Sequence, residues 1–218
     1  MYSSYTAASF ARKHELAEKH GVNLEGALSW AFEFEGHPYF AGFRSLATNG
    51  IDKPVLNIFR MFSKMRGKRL KVTSDSGLPL EVILRDGVRE TPDVSALASI
   101  DDEKVSVLVW HYHDEDVPGP AAAVTLRLNS LPTIFQGIAR ATHYRVDKNH
   151  SNAFTTWKNM GSPQQPTGEQ YAELERSCKL EMLSYPVAVR VDNGAAQLTF
   201  DLPRAGVSLL TLEWKNKE

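Results

Sequence analysis

The sequence predicts a chain of two characters, α/β over residues 1–67 and all-β over residues 68–218. Three observations carry this. The first part reads helix, strand, helix, and its strand is apolar on both faces, the mark of a sheet covered on both sides. The second part is a series of strand-like runs with turn signals between them, "RLKVTSD", "KVSVLVWHYHD", "AAVTLRLNSL", "ATHYRVD", "VAVRVDNGAAQLTFDLP" and "VSLLTLEW". One amphipathic stretch, "TGEQYAELERSCKLEML", interrupts them. The second part is therefore expected to be an antiparallel β-sandwich with one inserted helix.

The elements follow in order. Ser4 or Thr6 is placed to cap the first helix, Ala7, Ala8, Phe10, Ala11, Leu16 and Ala17 supply its buried side, and Gly21 ends it. "VNLEGALSWAFEFE" comes next as a strand. Leu28, Trp30, Phe32 and Phe34 alternate with Ala27, Ser29, Ala31, Glu33 and Glu35, so neither face is polar until its end. The small residues on one face suit a crowded barrel interior. After the loop "GHPYFAGFRSLATNGI", Asp52 is positioned to cap a second helix with Pro54 in its first turn. Val55, Phe59, Phe62 and Met65 recur at helical spacing and Gly67 stops the pattern. A lone strand cannot cover its own edges or faces. Residues 1–67 are thus expected to expose a face that further strands would cover, and the chain by itself to aggregate or to leave this segment loose. In the second part, Asn193-Gly194 signals a two-residue hairpin.

Composition narrows the function. Apolar residues at 42% and charged residues at 23% fit a globular protein. A net charge of −1 supplies no basic field for nucleic acid. Cys178 is the sole cysteine, so an intrachain disulfide and a cysteine metal cluster are excluded. No run of about 18 apolar residues suggests a membrane span. The first residues lack the apolar core of a signal peptide and read like the middle of a folded chain.

Glu33 and Glu35 are the first candidates for chemistry. On one strand face they would sit about 7 Å apart, from a rise of about 3.3 Å per residue. An inverting glycosidase holds its two carboxyls about 6.5–9.5 Å apart, so distance alone permits a catalytic pair. Direction argues against it, because an acid and a base must flank the scissile bond from different sides. Salt-bridged glutamates at a strand end and carboxylates that orient a substrate are the other readings. Trp30 has a flat apolar face that could stack on a sugar ring or pack in a core. His111 and His113 have a spacing that can bind zinc, yet lack a third ligand, and a strand running into an acidic turn is the plainer reading. Cys178 lies on the apolar face of its helix, where an inert thiol is expected.

"GALSWAFEFEGHPYFAGFRSLATNGIDKPVLNIFRMFSKM" resembles the last barrel unit of glycoside hydrolase family 39, the β-xylosidases. "DKNHSNAFTTWKNMGSPQQPTGEQYAELE" is similar to the C-terminal region of the same family. The resemblance implies a (β/α)8 barrel with an accessory β-sandwich, retaining chemistry, and no metal or other cofactor. The first helix would be the seventh barrel helix, the strand ending at Glu35 the eighth strand, and Asp52–Arg66 the eighth helix. The family's acid/base Glu follows an Asn, and this sequence has no Asn-Glu dipeptide. Its nucleophile precedes the seventh helix, where only Met1 to Ser3 stand, none acidic.

The resemblance thus makes this the C-terminal part of a β-xylosidase, expected from a reading frame that starts at an internal Met, whose partner is the missing N-terminal portion of the barrel. The expected substrate is a small xylo-oligosaccharide. Carried over to this sequence, Trp30 would line the sugar pocket, and Glu33 or Glu35, the latter preferred, would contact substrate hydroxyls. The Trp30–Ala31 bond would be cis. No nucleic acid or membrane partner is implied, and a non-catalytic structural or carbohydrate-binding sandwich is the competing reading.

Overall fold

A computed structural model describes residues 2–27, 32–42 and 45–214. The first helix, α1, spans Tyr2–Lys19. Two short strands, β1 (Ala47–Thr48) and β2 (Ile51–Asp52), form a hairpin. It leads into α2 (Pro54–Lys64). After β3 (Lys68–Leu70) and the short α3 (Leu80–Asp86) come the long strands β4 (Asp93–Ile100), β5 (Lys104–Tyr112), β6 (Ala122–Leu128) and β7 (Gly137–Val146). Two helices, α4 (Ala153–Asn159) and α5 (Gly168–Ser177), separate β7 from β8 (Glu181–Met182). β9 (Val187–Val191), β10 (Ala196–Leu202) and β11 (Val207–Glu213) finish the chain.

The longer strands make two antiparallel sheets. One runs β3-β4-β5-β11-β7-β8, with β9 also pairing β7, and the other is β6 with β10. Alternation decides which side each residue serves. Val105, Val107 and Val109 of β5, with Leu210 and Leu212 of β11, pack towards Leu126, Leu128, Leu198 and Leu202 of the small sheet. Leu108 and Trp110 of β5, with Val207 and Leu209 of β11, face Ala7, Ala8 and Ala11 of α1 and Ile58 and Met61 of α2. β5 and β11 are buried on both faces for that reason. The small sheet is exposed on its outer side, where Thr125, Arg127, Gln197 and Thr199 point to water.

Several expectations change. "VNLEGALSWAFEFE" is not a strand where it is described: residues 22–27 have no regular structure and 32–35 make a bend and a turn. A strand needs neighbouring strands to take its N–H and C=O groups, and among the described residues no strand pairs with this segment. Residues 28–31 lie outside the described residues. α1 and α2 cover one face of the large sheet. The buried stripe of α1 is Ser3, Ser4, Ala7, Ala8 and Ala11, small enough for the helix axis to come close over Leu108 and Trp110. Ser4 and Thr6 lie inside α1 rather than capping it, and the Thr6 hydroxyl donates to the Tyr2 carbonyl at 3.0 Å. Asp52 does not cap α2. Lys53 holds that place without a side-chain cap, and Asp52 accepts from Arg60 at 2.6 Å instead.

Among its described residues the second part holds three α-helices where one was expected. Asn152 caps α4 by accepting from Thr155 N, and Thr167 with Gln170 forms a reciprocal capping box on α5. α5 stops at Ser177 because "KLEML" turns away, and Glu181–Met182 pair with the edge of β7. The Asn193-Gly194 turn forms with φ of 52° and 74°, a primed hairpin turn. Only the Asp192–Ala195 bridge closes it. Its two strands then part, β9 joining β7 and β10 joining β6.

Candidate functional site

The segment between α1 and α2 carries Glu33 and Glu35, and its fold is set by the β1–β2 hairpin. Leu46 N and Ala47 N both donate to the Phe32 carbonyl, at 2.8 and 2.9 Å. The chain that leaves Phe32 therefore returns to it at Leu46 and Ala47. The hairpin is stitched to it at several further points. Phe40 N donates to Thr48 Oγ1 at 2.8 Å, and Asn49 Nδ2 donates to the His37 carbonyl at 3.2 Å. Lys53 Nζ reaches the carbonyls of Ala41 and Gly42 and the Ser45 hydroxyl at 3.1, 2.7 and 2.6 Å.

Glu33 sits at the root of this loop and is half-buried. Its Oε1 accepts from Gly50 N at 3.0 Å. Gly50 occupies the hairpin turn with φ of 79°, and a Cβ there would stand 2.8 Å from the Tyr171 hydroxyl. The positive φ favours glycine there. Glu35 is exposed on a turn. The two carboxylates are thus not neighbours on a strand face: one is tied to the hairpin and the other stands in solvent. Trp30 and the Trp30–Ala31 bond lie outside the described residues.

The far wall comes from the α4–α5 pair, more than a hundred residues away in sequence. Tyr39 N donates to Gln164 Oε1 at 2.8 Å. The Phe40 ring lies 5.0 Å from Trp157 and 5.5 Å from Phe154, and it packs with Ile51, Leu174 and Cys178. Tyr39 and Tyr171 both have phenols pushed up, first by burial and then by neighbouring groups that include Glu33. Both hydroxyls stay protonated and can donate. The site therefore joins a carboxylate, two neutral phenols and an aromatic floor, groups suited to hydroxyls and the apolar faces of a sugar ring.

The other candidates take structural places. His111 Nδ1 meets the Leu202 carbonyl at 2.9 Å and His113 Nε2 the Arg89 carbonyl at 2.7 Å, so each imidazole serves a different backbone segment. Among the described residues no group of three or more His, Cys, Asp or Glu side chains is arranged for a metal ion. The Cys178 thiol is buried and pushed up by that burial, which keeps it protonated. No helix among the described residues is long and apolar enough to cross a membrane.

Comparison with known proteins bears on this loop, because the sequence model of glycosyl hydrolases family 39 matches residues 17–193, which contain it. The chain belongs to glycosyl hydrolases family 39. A β-xylosidase of Caldicellulosiruptor saccharolyticus is 24% identical over 184 residues, covering 82% of this chain and 33% of that protein. A monomeric β-xylosidase from Caulobacter crescentus CB15 shares the fold with a TM-score of 0.70 at 20% identity, over 97% of this chain and 41% of that one. The family 39 enzyme of Xanthomonas axonopodis pv. citri gives a TM-score of 0.71 at 20% identity, with the same coverage. The family 39 chain described here thus spans between a third and about two fifths of these relatives.

Sequence reasoning singled out Glu33 and Glu35; it did not single out Lys53 or Gln164, and named Tyr171 only as part of a helix face. One signal was present. Lys53 stands directly before the Pro that opens α2, where Ser, Thr, Asp or Asn is usual, so a different task for its side chain was legible.

Proposed function

We propose that this chain is the C-terminal part of a retaining β-xylosidase and that its 33–45 loop forms one wall of the sugar site. Residues 1–67 close a (β/α)8 barrel, and residues 68–218 act as the accessory β-sandwich. Trp30 stacks on the sugar, while Glu33 and Glu35 accept hydrogen bonds from its hydroxyls. The nucleophilic and acid/base glutamates belong to the portion of a full-length enzyme that this chain does not span. Xylo-oligosaccharides are the substrates, cleaved at the terminal β-linkage.

The observation that carries this reading is the family 39 match over the loop, in a chain spanning only 33% of a β-xylosidase relative. The chemistry supports it. Glu33 has one oxygen engaged by Gly50 N, and a carboxylate accepts at both oxygens. Displacement needs carboxylates on opposite sides of the bond; Glu33 is tied to the hairpin and Glu35 is exposed, so orientation is the role given to both.

Titration of the chain with xylobiose, followed by amide NMR, tests it. Saturable shifts confined to residues 33–50 and Tyr171 are expected, and Glu33→Gln is expected to weaken them about tenfold. Shifts spread over the outer face of β6 and β10 instead would favour a carbohydrate-binding sandwich and overturn the proposal.

A further inference from the structure

Lys53 is 7% exposed, and a lysine is almost never buried this far unless its charge is engaged. Its ammonium group has three donors, and three oxygens meet it: Ala41 O at 3.1 Å, Gly42 O at 2.7 Å and Ser45 Oγ at 2.6 Å. All three belong to the returning limb of the loop. Its own backbone N donates to the Leu46 carbonyl at 2.8 Å, so main chain and side chain grip the same limb. No carboxylate touches the amine among the described residues. Burial lowers its pKa, and the charge of Glu33, acting through space, works in the other direction. The ion is therefore spent on neutral backbone, an expensive arrangement that stabilises one loop conformation.

Nothing in the loop replaces it. Residues 33–42 contribute one backbone–backbone hydrogen bond of their own, Ala41 N to the Pro38 carbonyl. Phe40 adopts φ of 57°, a conformation that a non-glycine residue holds only when its surroundings fix it. Thr48 and Gln164 fix the outgoing limb at Phe40 and Tyr39, and Lys53 fixes the returning limb.

We propose that Lys53 is the positioning residue of the sugar-binding wall: its ammonium ion pins Ala41, Gly42 and Ser45 to the start of α2 and so presets the loop that carries Glu33. It touches no substrate itself. Only the last step, the effect on sugar affinity, rests on the function proposed above.

Hydrogen exchange of the whole unliganded chain tests the pin without any sugar. Lys53→Met keeps the length of the side chain and removes its donors. Peptides covering residues 36–42 and 45–48 should then exchange at least tenfold faster, with β5 and β11 as protected as before. Ser45→Ala removes one of three acceptors without touching the buried charge and should give about a threefold rise in the same peptides. It decides the matter if Lys53→Met does not fold. Unchanged exchange in the loop, or a rise shared equally by β5 and β11, would overturn the proposal. With xylobiose present, Lys53→Met should bind at least tenfold more weakly. A wild-type chain that binds no xylobiose would overturn the sugar-binding reading and leave the exchange result to decide the pin.

Discussion

Arg12 donates to the Asp93 carboxylate at 2.8 Å, and through that contact α1 is fastened to the first residue of β4. Asp93 is 1% exposed and also accepts from Leu78 N and Trp110 Nε1, each at 2.8 Å. The other arm of the guanidinium holds Glu15 at 2.9 Å. The helical layer and the large sheet thus share an ion pair as well as an apolar interface.

Removing the acid should cost more than removing the base. Asp93→Ala leaves an indole N–H and a backbone N–H without their acceptor and takes one of two carboxylates from Arg12, whereas Arg12→Met leaves Asp93 with two donors. Breaking a buried pair costs about 3–5 kcal/mol, and Asp93→Ala is expected in that range. Urea unfolding followed by tryptophan fluorescence checks it. A loss below about 1 kcal/mol, or a larger loss for Arg12→Met, would contradict the assignment.

Asn57 joins α2 to the other end of the molecule. It is fully buried and donates to the carbonyls of Ser151 and Cys178 at 3.1 and 2.9 Å, while its oxygen accepts from Arg60. Asn57→Leu leaves those carbonyls without their side-chain donor, at about 1–3 kcal/mol per unsatisfied group. The expected signature is a lower unfolding midpoint together with faster exchange at residues 150–152. Unaltered stability would show that both carbonyls find other partners.

His143 gives the fold an acid limit. Its Nε2 lies 2.8 Å from Ser208 Oγ, and burial, then Arg145 and His150, lowers its pKa from 6.5 to about 4. The folded value lies below the unfolded one, so its contribution is full above about pH 6.5 and falls away as pH drops towards 4. The loss over that interval is on the order of 3 kcal/mol. Asp147 nearby would be raised by its own burial, but hydrogen bonds from His150, Asn149 and Arg145 outweigh this and hold it below its usual value. Its contribution is likewise lost as pH falls, but at lower pH. Stability of His143→Gln should be flatter than wild type between pH 6.5 and 4, and parallel profiles would refute the attribution.

The α5 cap supports the far wall of the candidate site. Thr167→Ala removes the acceptor for Gln170 N and is expected to cost about 1 kcal/mol. Exchange should rise at residues 168–172, and a rise absent there would mean the cap carries no stability.

Much of the β-structure was legible, because β5 and β11 alternate between two apolar partners and their sequences leave no polar face. The hairpin turn at Asn193-Gly194 was legible too, but not that its strands go to different sheets, since that depends on β6 and β7. "VNLEGALSWAFEFE" misled for the opposite reason. Its residue types suit a strand, but strand form also requires hydrogen-bonding neighbours. Glu33 was singled out from residue type and position. Its partner Gly50 and the grip of Lys53 were not, because each depends on where a loop folds back. The burial of Asp93 was not legible, because it depends on Arg12 and Trp110, which meet it only in the fold.

One NMR experiment bears on both halves of the central claim, that this chain holds a sugar but does not cleave it. Xylobiose is added to the labelled chain while amide shifts and the anomeric signals of free xylose are followed together. The account predicts saturable shifts around Glu33 and Gly50, with no xylose released above the rate in buffer. Protein-dependent release of xylose, or saturation with the loop unmoved, would contradict it.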